Sequence, residues 1–443
     1  MSFYVSTSGS SNGDGSSSSP FATLQQALTA AENSSTKTID LEGGTYNLSS
    51  TINLSSADNG ITIESAPGSQ AVLDGGGSLS TLVQLNGTSN VTLQGLTLQD
   101  TAANTRAAVV LNGAGSTSII ADHFNNNGEG ILFENGSNNN TVSGNEIDNS
   151  STSGIEVQDA SSGNLFDSNV VNGTGAIGTA GGGIDLHGAN NNTISHNVVE
   201  NTAGMGIGIE NWDDSSTINV GNTISDNDVY NTNTSSQSTD SGAIYLLGRA
   251  NINTQTVITG NYVSGPDTAA AGSSGHIIGI YLDDNESGVQ ITNNIIANTV
   301  TNSLQIHGGD NVTAENNIFD LDSNGLAAVL FQDRASDYGG STMQNDVVQQ
   351  NIIASSSSNP TAYASISGGS PTVNDNLYMD LINSNWQMGG VGQTNAQYGN
   401  ANFANEAGGN YALGSGSGAT AIGFTQINQS AMGLHPTTAH YYA

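Results

Sequence analysis

The chain contains no cysteine, so disulfide bonds and thiolate metal sites are excluded. Basic residues are almost as scarce, with four Lys and Arg against 38 Asp and Glu and a formal net charge of −34. A protein of this charge repels polyanions and has no basic surface for phosphates, so we exclude nucleic acid as a partner. No apolar run approaches the length of a membrane span, and we predict none.

Only 35% of the 443 residues are hydrophobic, yet Ile and Val recur too regularly for a disordered chain. A coil of short parallel strands buries a narrow, continuous core of this kind, since each turn adds a few inward side chains. The polar Gly/Asn/Ser texture is uniform, which predicts one domain over residues 1–443. We expect an N-terminal cap and first strands at 1–50, repeating coils at 51–380 and a C-terminal capping segment at 381–443.

One segment, PFATLQQALTAAEN at 20–33, has apolar residues at helical spacing. Ser19 suits the N-cap position and Pro20 the first helical position. A short amphipathic helix here would close the open end of the coil and protect its first strand edge.

A repeat occupies the chain from about residue 90, as in NTVSGNEI, NTISHNVV and VQITNNII. Its asparagines recur every 23 to 34 residues, at Asn145, Asn169, Asn197, Asn227, Asn261, Asn294, Asn317, Asn351 and Asn376. Stacked at one corner, their amides can bond to the turns above and below. The pattern predicts an all-β, right-handed parallel β-helix in which these asparagines are structural.

A second strand lies between the asparagines, as in GIDLHG, GAIYLLG and GIYLDD. Side chains alternate across a strand, so aligning the inward Ile and Leu places the remaining residues in outward columns. One column contains Glu134, Gln158, His187, Glu210, Leu247, Asp283, His307 and Gln332, and the other contains Asp185, Tyr245, Tyr281 and Gln305. Successive turns are about 4.8 Å apart, so the columns predict a polar, aromatic-bearing groove of the kind that binds polysaccharide.

Two segments carry the best candidates for chemistry: TDSGAIYLLGR at 239–249 and GIYLDDNESG at 279–288. GGIDLHG and GMGIGIENW precede them, and NNIIANT follows. With these segments in this order, about residues 180–335 resemble glycoside hydrolase family 141, right-handed β-helix enzymes that include an α-L-fucosidase and xylanases.

The resemblance implies that Asp240 and either Asp283 or Asp284 are the two carboxylates that flank the scissile bond. In such a pair, one carboxyl protonates the leaving oxygen, and the other attacks the anomeric carbon or activates water. Asp240 precedes the strand beside Asp283 by several residues, so a corner near Gly242 must bring the two together. Glu210, one turn below, is the substitute partner.

Other polar and aromatic residues near this pair are candidates for substrate contact. Aromatic rings can stack on sugar faces, and the scarcity of arginine favours a bonding role for Arg249 and Arg334. The full set is Asp185, His187, Trp212, Tyr245, Arg249, Tyr281, His307 and Arg334.

The same residues leave other functions open. A lyase or C5-epimerase acting on uronate polymers also suits this fold, and Asp185-Leu186-His187 is similar to the DPH motif of mannuronan epimerases without its proline. Proton abstraction beside a carboxylate needs a neutralising cation, which is scarce here. A non-catalytic adhesin or tailspike-like stalk needs no groove carboxylates, and the candidate carboxylates would then be solvated turn residues.

The charge favours a neutral or weakly charged polysaccharide or oligosaccharide as the substrate, since a polyanion would be repelled. We predict no required cofactor and no dedicated metal site, with calcium as the one cation that acidic segments such as DDNE at 283–286 could hold. We expect an extracellular bacterial protein, although MSFYVSTSGS lacks the basic and apolar regions of a signal peptide.

Overall fold

The computed structural model of the protein describes residues 2–435 except 176–180, 212–217, 236–239, 251, 266–275, 300, 322–325, 334–342, 367–370 and 381–384. Within these residues the chain coils so that each turn adds one strand to each of three parallel sheets, of 14, 12 and 14 strands. The right-handed parallel β-helix predicted from the repeat is confirmed.

Most strands are three to six residues long, and we name the sheets I, II and III. Sheet I contains Ser2–Ser10, Thr38–Leu41, Thr62–Ser65, Thr92–Gln94, Ser118–Ile120, Thr141–Ser143, Leu165–Asp167, Thr193–Ser195, Thr223–Ser225, Val257–Thr259, Gln290–Thr292, Thr313–Glu315, Val347–Gln349 and Thr372–Asn374. Sheet II contains Ile52–Leu54, Val83–Asn86, Ala107–Asn112, Glu129–Glu134, Ile155–Val157, Ile184–His187, Ile207–Asn211, Asp240–Gly248, His276–Asp283, Asn302–His307, Ala327–Gln332 and Tyr363–Ile366. Sheet III contains Gly44–Asn47, Ala71–Asp74, Leu96–Gln99, His123–Asn125, Glu146–Asp148, Val170–Asn172, Val198–Glu200, Asp228–Tyr230, Tyr262–Ser264, Ile295–Thr299, Ile318–Leu321, Ile352–Ser355, Leu377–Asp380 and Gln397–Tyr398.

The core is a stack of inward side chains in exact register from turn to turn. In sheet I, Val142 pairs with Phe166, Phe166 with Ile194 and Ile194 with Ile224, and all four are fully buried. Each inward residue is therefore covered by the turns before and after it, which gives a chain with few large side chains a continuous apolar core.

The predicted asparagine ladder is present at the corner between sheets I and III. Asn197 shows the pattern: its amide nitrogen donates to Phe166 O and to Asn227 Oδ1, each at 2.9 Å, and its Oδ1 accepts the Asn169 backbone N–H at 2.9 Å. The residue before each ladder asparagine has a positive φ, as in His196 (54°) and Asp226 (56°). The left-handed residue makes the tight turn, and the asparagine satisfies backbone groups that the turn leaves unpaired.

The ladder begins with an aspartate that the asparagine pattern did not include. Asp122 is fully buried; its Oδ1 accepts the Leu96 N–H at 2.7 Å, and its own N–H donates to Asn145 Oδ1 at 2.9 Å. Burial raises the pKa of Asp122 well above its ordinary value. Asp122 therefore occupies the position of a ladder asparagine, and its burial favours the protonated form of the carboxyl.

The predicted N-terminal helix is present but shorter, at Leu24–Glu32, with Leu24, Ala27, Leu28 and Ala31 buried. The expected caps at Ser19 and Pro20 are wrong. Thr23 is the N-cap and forms a capping box with Gln26, because the chain just before it is extended and Phe21 bridges to Val5 and Ser10.

The segment after the last coil packs along the outside of sheet III. Tyr411, Phe424 and Ile427 join an apolar cluster with outward residues such as Ile318 and Ile352. The segment contains an antiparallel pair, Phe403–Asn405 with Asn410–Leu413, and the short 3-10 helices Glu406–Gly408, Gly418–Ile422 and Gln429–Ala431; a further 3-10 helix, Ser56–Asp58, lies near the N-terminus. No helix among the described residues is long and apolar enough to cross a membrane.

Candidate active site

The first predicted outward column of sheet II is confirmed by the strand register. His187 pairs with Glu210, Glu210 with Leu247 and Leu247 with Asp283, each on consecutive strands. Because the strands are parallel and in register, these side chains follow one another along the outside of the coil at about 4.8 Å per turn.

The second column is confirmed in the same way and lies two residues earlier on each strand. Asp185 pairs with Gly208, Gly208 with Tyr245, Tyr245 with Tyr281 and Tyr281 with Gln305. The two columns place most of the predicted site residues on one face of the molecule.

Asp283 is the centre of a buried hydrogen-bond network, which we call the Asp283 cluster and which comprises Tyr245, Tyr281, Asp283 and His307. The Tyr245 hydroxyl donates to Asp283 Oδ2 at 2.8 Å, and His307 Nδ1 lies 2.6 Å from Asp283 Oδ1. The Tyr281 hydroxyl lies 3.1 Å from the same His307 nitrogen. Both carboxylate oxygens are thus held by side chains from neighbouring strands.

The contacts of Asp283 decide its protonation. Burial alone would raise the pKa of Asp283, but the hydrogen bond and charge of His307, with hydrogen bonds from Tyr245 and Tyr281, outweigh it and lower the pKa below its ordinary value. Burial and the Asp283 charge raise the pKa of both tyrosines, so their hydroxyls remain donors. Asp283 is therefore an anion at neutral pH, fixed in orientation on one face of the coil.

His307 has one free ring nitrogen. Nδ1 faces the carboxylate of Asp283 and carries a proton toward it, and Nε2 is buried without a hydrogen-bond partner among the described residues. A histidine oriented by a carboxylate, with its second nitrogen unbonded, can accept or deliver a proton.

Asp240 is exposed and is the first residue of the strand Asp240–Gly248, whereas the sequence placed it several residues before the strand. Asp240 and Gly242 belong to one strand, in which Asp240 pairs with His276 and Leu247 with Asp283, so the register does not bring Asp240 beside Asp283. The pKa of Tyr281 is raised by burial, then by the charges of Asp283 and Asp240. Both carboxylates therefore act on the same tyrosine hydroxyl.

Asp284 lies beside the Asp283 cluster, since ligand atoms of Asp283, Asp284 and His307 all lie within 4.8 Å of one another. Its Oδ2 accepts a hydrogen bond from Arg249 Nε at 2.9 Å, and its φ of 45° turns the chain out of the strand. One of the scarce arginines is thus used to hold an aspartate, as the sequence suggested. Two further candidates, Trp212 and Arg334, lie outside the described residues.

The tyrosines of the predicted groove were expected to face solvent, and this expectation is wrong. Tyr245 is 5% exposed and Tyr281 1%. Their rings pack edge to face with centroids 5.4 Å apart, and Met205 and Ile278 belong to the same apolar cluster. The rings cover one another, so they serve the site through their hydroxyls and are not available to stack on a sugar.

A second group on the same face, which we call the Asp185 cluster, comprises Asp185, His187 and Glu210. His187 Nε2 lies 3.1 Å from Asp185 Oδ2, and Nδ1 lies 3.8 Å from Glu210 Oε2. Burial lowers the pKa of His187, but Asp185 and then Glu210 outweigh it and raise the pKa to about 9. The imidazole is therefore protonated at neutral pH and lies between two carboxylates.

Two glutamates beside this cluster were missed in the sequence. Glu156 pairs in register with Asp185, and Glu129 is buried on the strand that precedes the strand of Glu156. Burial and the Glu156 charge raise the pKa of Glu129 well above its ordinary value. Extending the second column backward from Asp185 through GIEVQD would have found Glu156, whereas the burial of Glu129 has no sequence signal.

The DDNE segment, suggested as a calcium site, uses its oxygens in separate bonds. Glu286 is buried beside Gly248, where Thr254 Oγ1 donates to its Oε1 at 2.6 Å, and burial raises its pKa to about 8. Asp283 is bonded to His307 and Asp284 to Arg249, and ligand atoms of Asp283, Asp284 and His307 lie within 4.8 Å of one another.

Comparisons with known proteins agree on the fold. The profile of a family described as Pel9A-like, right handed beta helix region, matches residues 3–166. No curated protein matches the chain. A solved structure described as XylC in complex with xylose is 12% identical, with a TM-score of 0.55 over 90% of this chain and 86% of that one. Another, described as a glycoside hydrolase, is 10% identical, with a TM-score of 0.54 over 98% and 99%. At these identities the likeness shows the β-helix fold, which this chain shares with glycoside hydrolases.

Proposed function

We propose that the chain is a carbohydrate-active enzyme, a glycoside hydrolase that cleaves a neutral or weakly charged polysaccharide or oligosaccharide on the outer face of sheet II. One observation carries the proposal: Asp283 is a buried carboxylate that Tyr245 and His307 keep ionised and fixed in orientation. A preorganised anion of this kind suits a nucleophile, a general base or the stabilisation of an oxocarbenium-like transition state.

Asp240 is our candidate for the general acid. It is exposed, and its charge, together with that of Asp283, raises the pKa of the Tyr281 hydroxyl. In glycosidases generally, carboxyl separations of about 5–5.5 Å lead to retention and about 6.5–9.5 Å to inversion. Glu210 and Asp284 are the substitutes, although Asp284 is bonded to Arg249.

The substrate class follows from charge and resemblance. A net charge of −34 disfavours polyanions. The resemblance to glycoside hydrolase family 141 and the fold shared with a xylose-bound protein make fucosides and xylans the first glycans to screen. We propose action outside the cell, where such polysaccharides occur.

The test is a screen of fucosides, xylans and related glycans, followed by Asp283→Asn and Asp240→Asn. Each change keeps the size of the side chain but removes its charge or its proton, so activity should fall by a factor of roughly 100 or more. Asp14→Asn, at an exposed site near the N-terminus, is the matched control and should keep full activity. Near-normal turnover by both site variants would refute the assignment, and the same change at Glu210 and Asp284 would then identify the substitute.

A second candidate, a lyase or C5-epimerase, is favoured by His307, whose Nδ1 lies 3.1 Å from the Tyr281 hydroxyl and whose Nε2 has no partner among the described residues. That pair could exchange a proton with a carbon next to a uronate carboxylate. Products that absorb as unsaturated uronates would favour this reading. No turnover on any glycan, with retained binding, would favour a non-catalytic glycan-binding protein.

A further inference from the structure

We propose that Asp185, His187 and Glu210 form a binding site for a divalent transition-metal ion. The Asp185 cluster lies on consecutive strands of sheet II, and between it and Asp283 the strand Asp240–Gly248 intervenes. The site is therefore distinct from the Asp283 cluster and does not depend on the proposed hydrolase activity.

The donor atoms are already close together. One ligand atom from each of Asp185, His187 and Glu210 can be chosen so that all three lie within 4.8 Å of one another. The strand register holds them there, since His187 pairs directly with Glu210 and Asp185 is two residues before His187. A single ion about 2.0–2.2 Å from each donor would need only small side-chain movements.

An independent observation points to a cation beside Asp185. The Asp185 side chain is only 8% exposed, and its Oδ1 is buried without a hydrogen-bond partner among the described residues. This oxygen faces the strand that carries Glu210, because a Cβ added at Gly208 would lie 2.6 Å from it. A buried carboxylate oxygen without a partner costs free energy, and a bound cation would remove that cost.

The donor set selects the kind of ion. Two carboxylates and an imidazole that loses its proton when the ion binds suit Zn²⁺ or Mn²⁺, whereas Ca²⁺ takes six to eight oxygen ligands. Three protein ligands also leave coordination positions for water or another ligand. The His187 side chain is 32% exposed, so the ion can reach the site past this residue.

The molecule contains a comparison site with the same donor types. His123, Glu146 and Asp148 lie on neighbouring strands of sheet III, with His123 Nε2 3.1 Å from Asp148 Oδ2. The His123 and Asp148 side chains are 16% and 15% exposed. Variants at His123 therefore test whether any His-carboxylate group on this acidic protein binds metal.

The experiment is calorimetric titration of the metal-stripped full chain with ZnCl₂, MnCl₂ and CaCl₂, at pH 8 in 0.15 M NaCl. Salt screens the general attraction of cations to the negative surface, and at pH 8 the ion must displace the proton of His187. We expect one site for Zn²⁺ or Mn²⁺ with at least tenfold weaker binding of Ca²⁺. Asp185→Asn and Glu210→Gln should each weaken that site by a factor of roughly 10–100 or more, whereas His123→Gln should leave it unchanged.

The outcomes separate the alternatives. Absence of Zn²⁺ and Mn²⁺ binding by the parent chain would overturn the proposal, as would binding that is lost in His123→Gln but kept in both Asp185→Asn and Glu210→Gln. Melting temperatures of the metal-free variants show whether each remains folded. If Asp185→Asn does not fold, Glu210→Gln provides the test of the site. The readout needs no substrate, so failure of the metal site leaves the hydrolase proposal standing.

Discussion

Replacing Asp346 by asparagine should stabilise the protein at alkaline pH. Asp346 is fully buried; its Oδ1 accepts the Val312 N–H at 2.9 Å, and its Oδ2 has no partner among the described residues. In a second set of stacked asparagines, Asn192 accepts the Asn164 N–H in the same way, and its amide nitrogen donates to Ser161 O at 3.2 Å. An asparagine at position 346 has an amide nitrogen that could donate the corresponding hydrogen bond, whereas an ionised aspartate has no such donor.

The magnitude follows from the pKa of Asp346, which burial, and more weakly the Asp310 charge, raise from 3.8 to about 7 against the opposing Val312 hydrogen bond. A shift of about three units corresponds to about 4 kcal/mol in the free energy of unfolding. Since the folded pKa is above the unfolded one, this contribution is fully present below about pH 4 and is lost as pH rises through about 7. For a chain of this length, 4 kcal/mol amounts to a shift of several degrees in Tm.

The assay is thermal unfolding of the parent chain, Asp346→Asn and Glu32→Gln at pH 4.5, 6 and 8. Glu32 is an exposed residue at the end of the helix, so its variant controls for the removal of one negative charge. We expect the Asp346→Asn advantage to grow from pH 4.5 to pH 8 and the control to show no such trend. An advantage independent of pH, or a less stable variant at pH 8, would refute the reasoning.

Three further changes test other parts of the structure. Asn197→Ala removes a member of the asparagine ladder and leaves buried backbone groups unpaired, so thermal or denaturant unfolding should show a loss of about 3 kcal/mol or more. Tyr245→Phe removes a hydrogen bond to Asp283, so the pKa of that carboxyl should rise, as a carboxyl-carbon NMR titration against the parent chain would show; an unchanged pKa would contradict the assigned network. Gly248→Ala would bring a Cβ to 2.1 Å from Glu286 Oε2, so we expect a loss of about 1–3 kcal/mol in unfolding free energy. A melting temperature equal to that of the parent chain would contradict the packing described.

The sequence alone determined the repeat and which strand faces point outward. The asparagines from Asn145 to Asn376 predicted the ladder, and the alternation in GIDLHG and GIYLDD placed His187 and Asp283 in the same column. Both inferences succeed because a strand has a period of two and a solenoid pairs each turn only with its neighbours.

Only the tertiary structure decided how the outward residues are used. The tyrosines expected to stack on sugars are buried against each other, and the site aspartates take different partners, His307 for Asp283 and Arg249 for Asp284. Asp122 also differs from the surface aspartates, because it is buried at the start of the asparagine ladder. These properties depend on the contacts that cover each side chain. A strand's alternation specifies the face on which a residue lies, but its solvent exposure and charge state depend on neighbours from other turns of the coil.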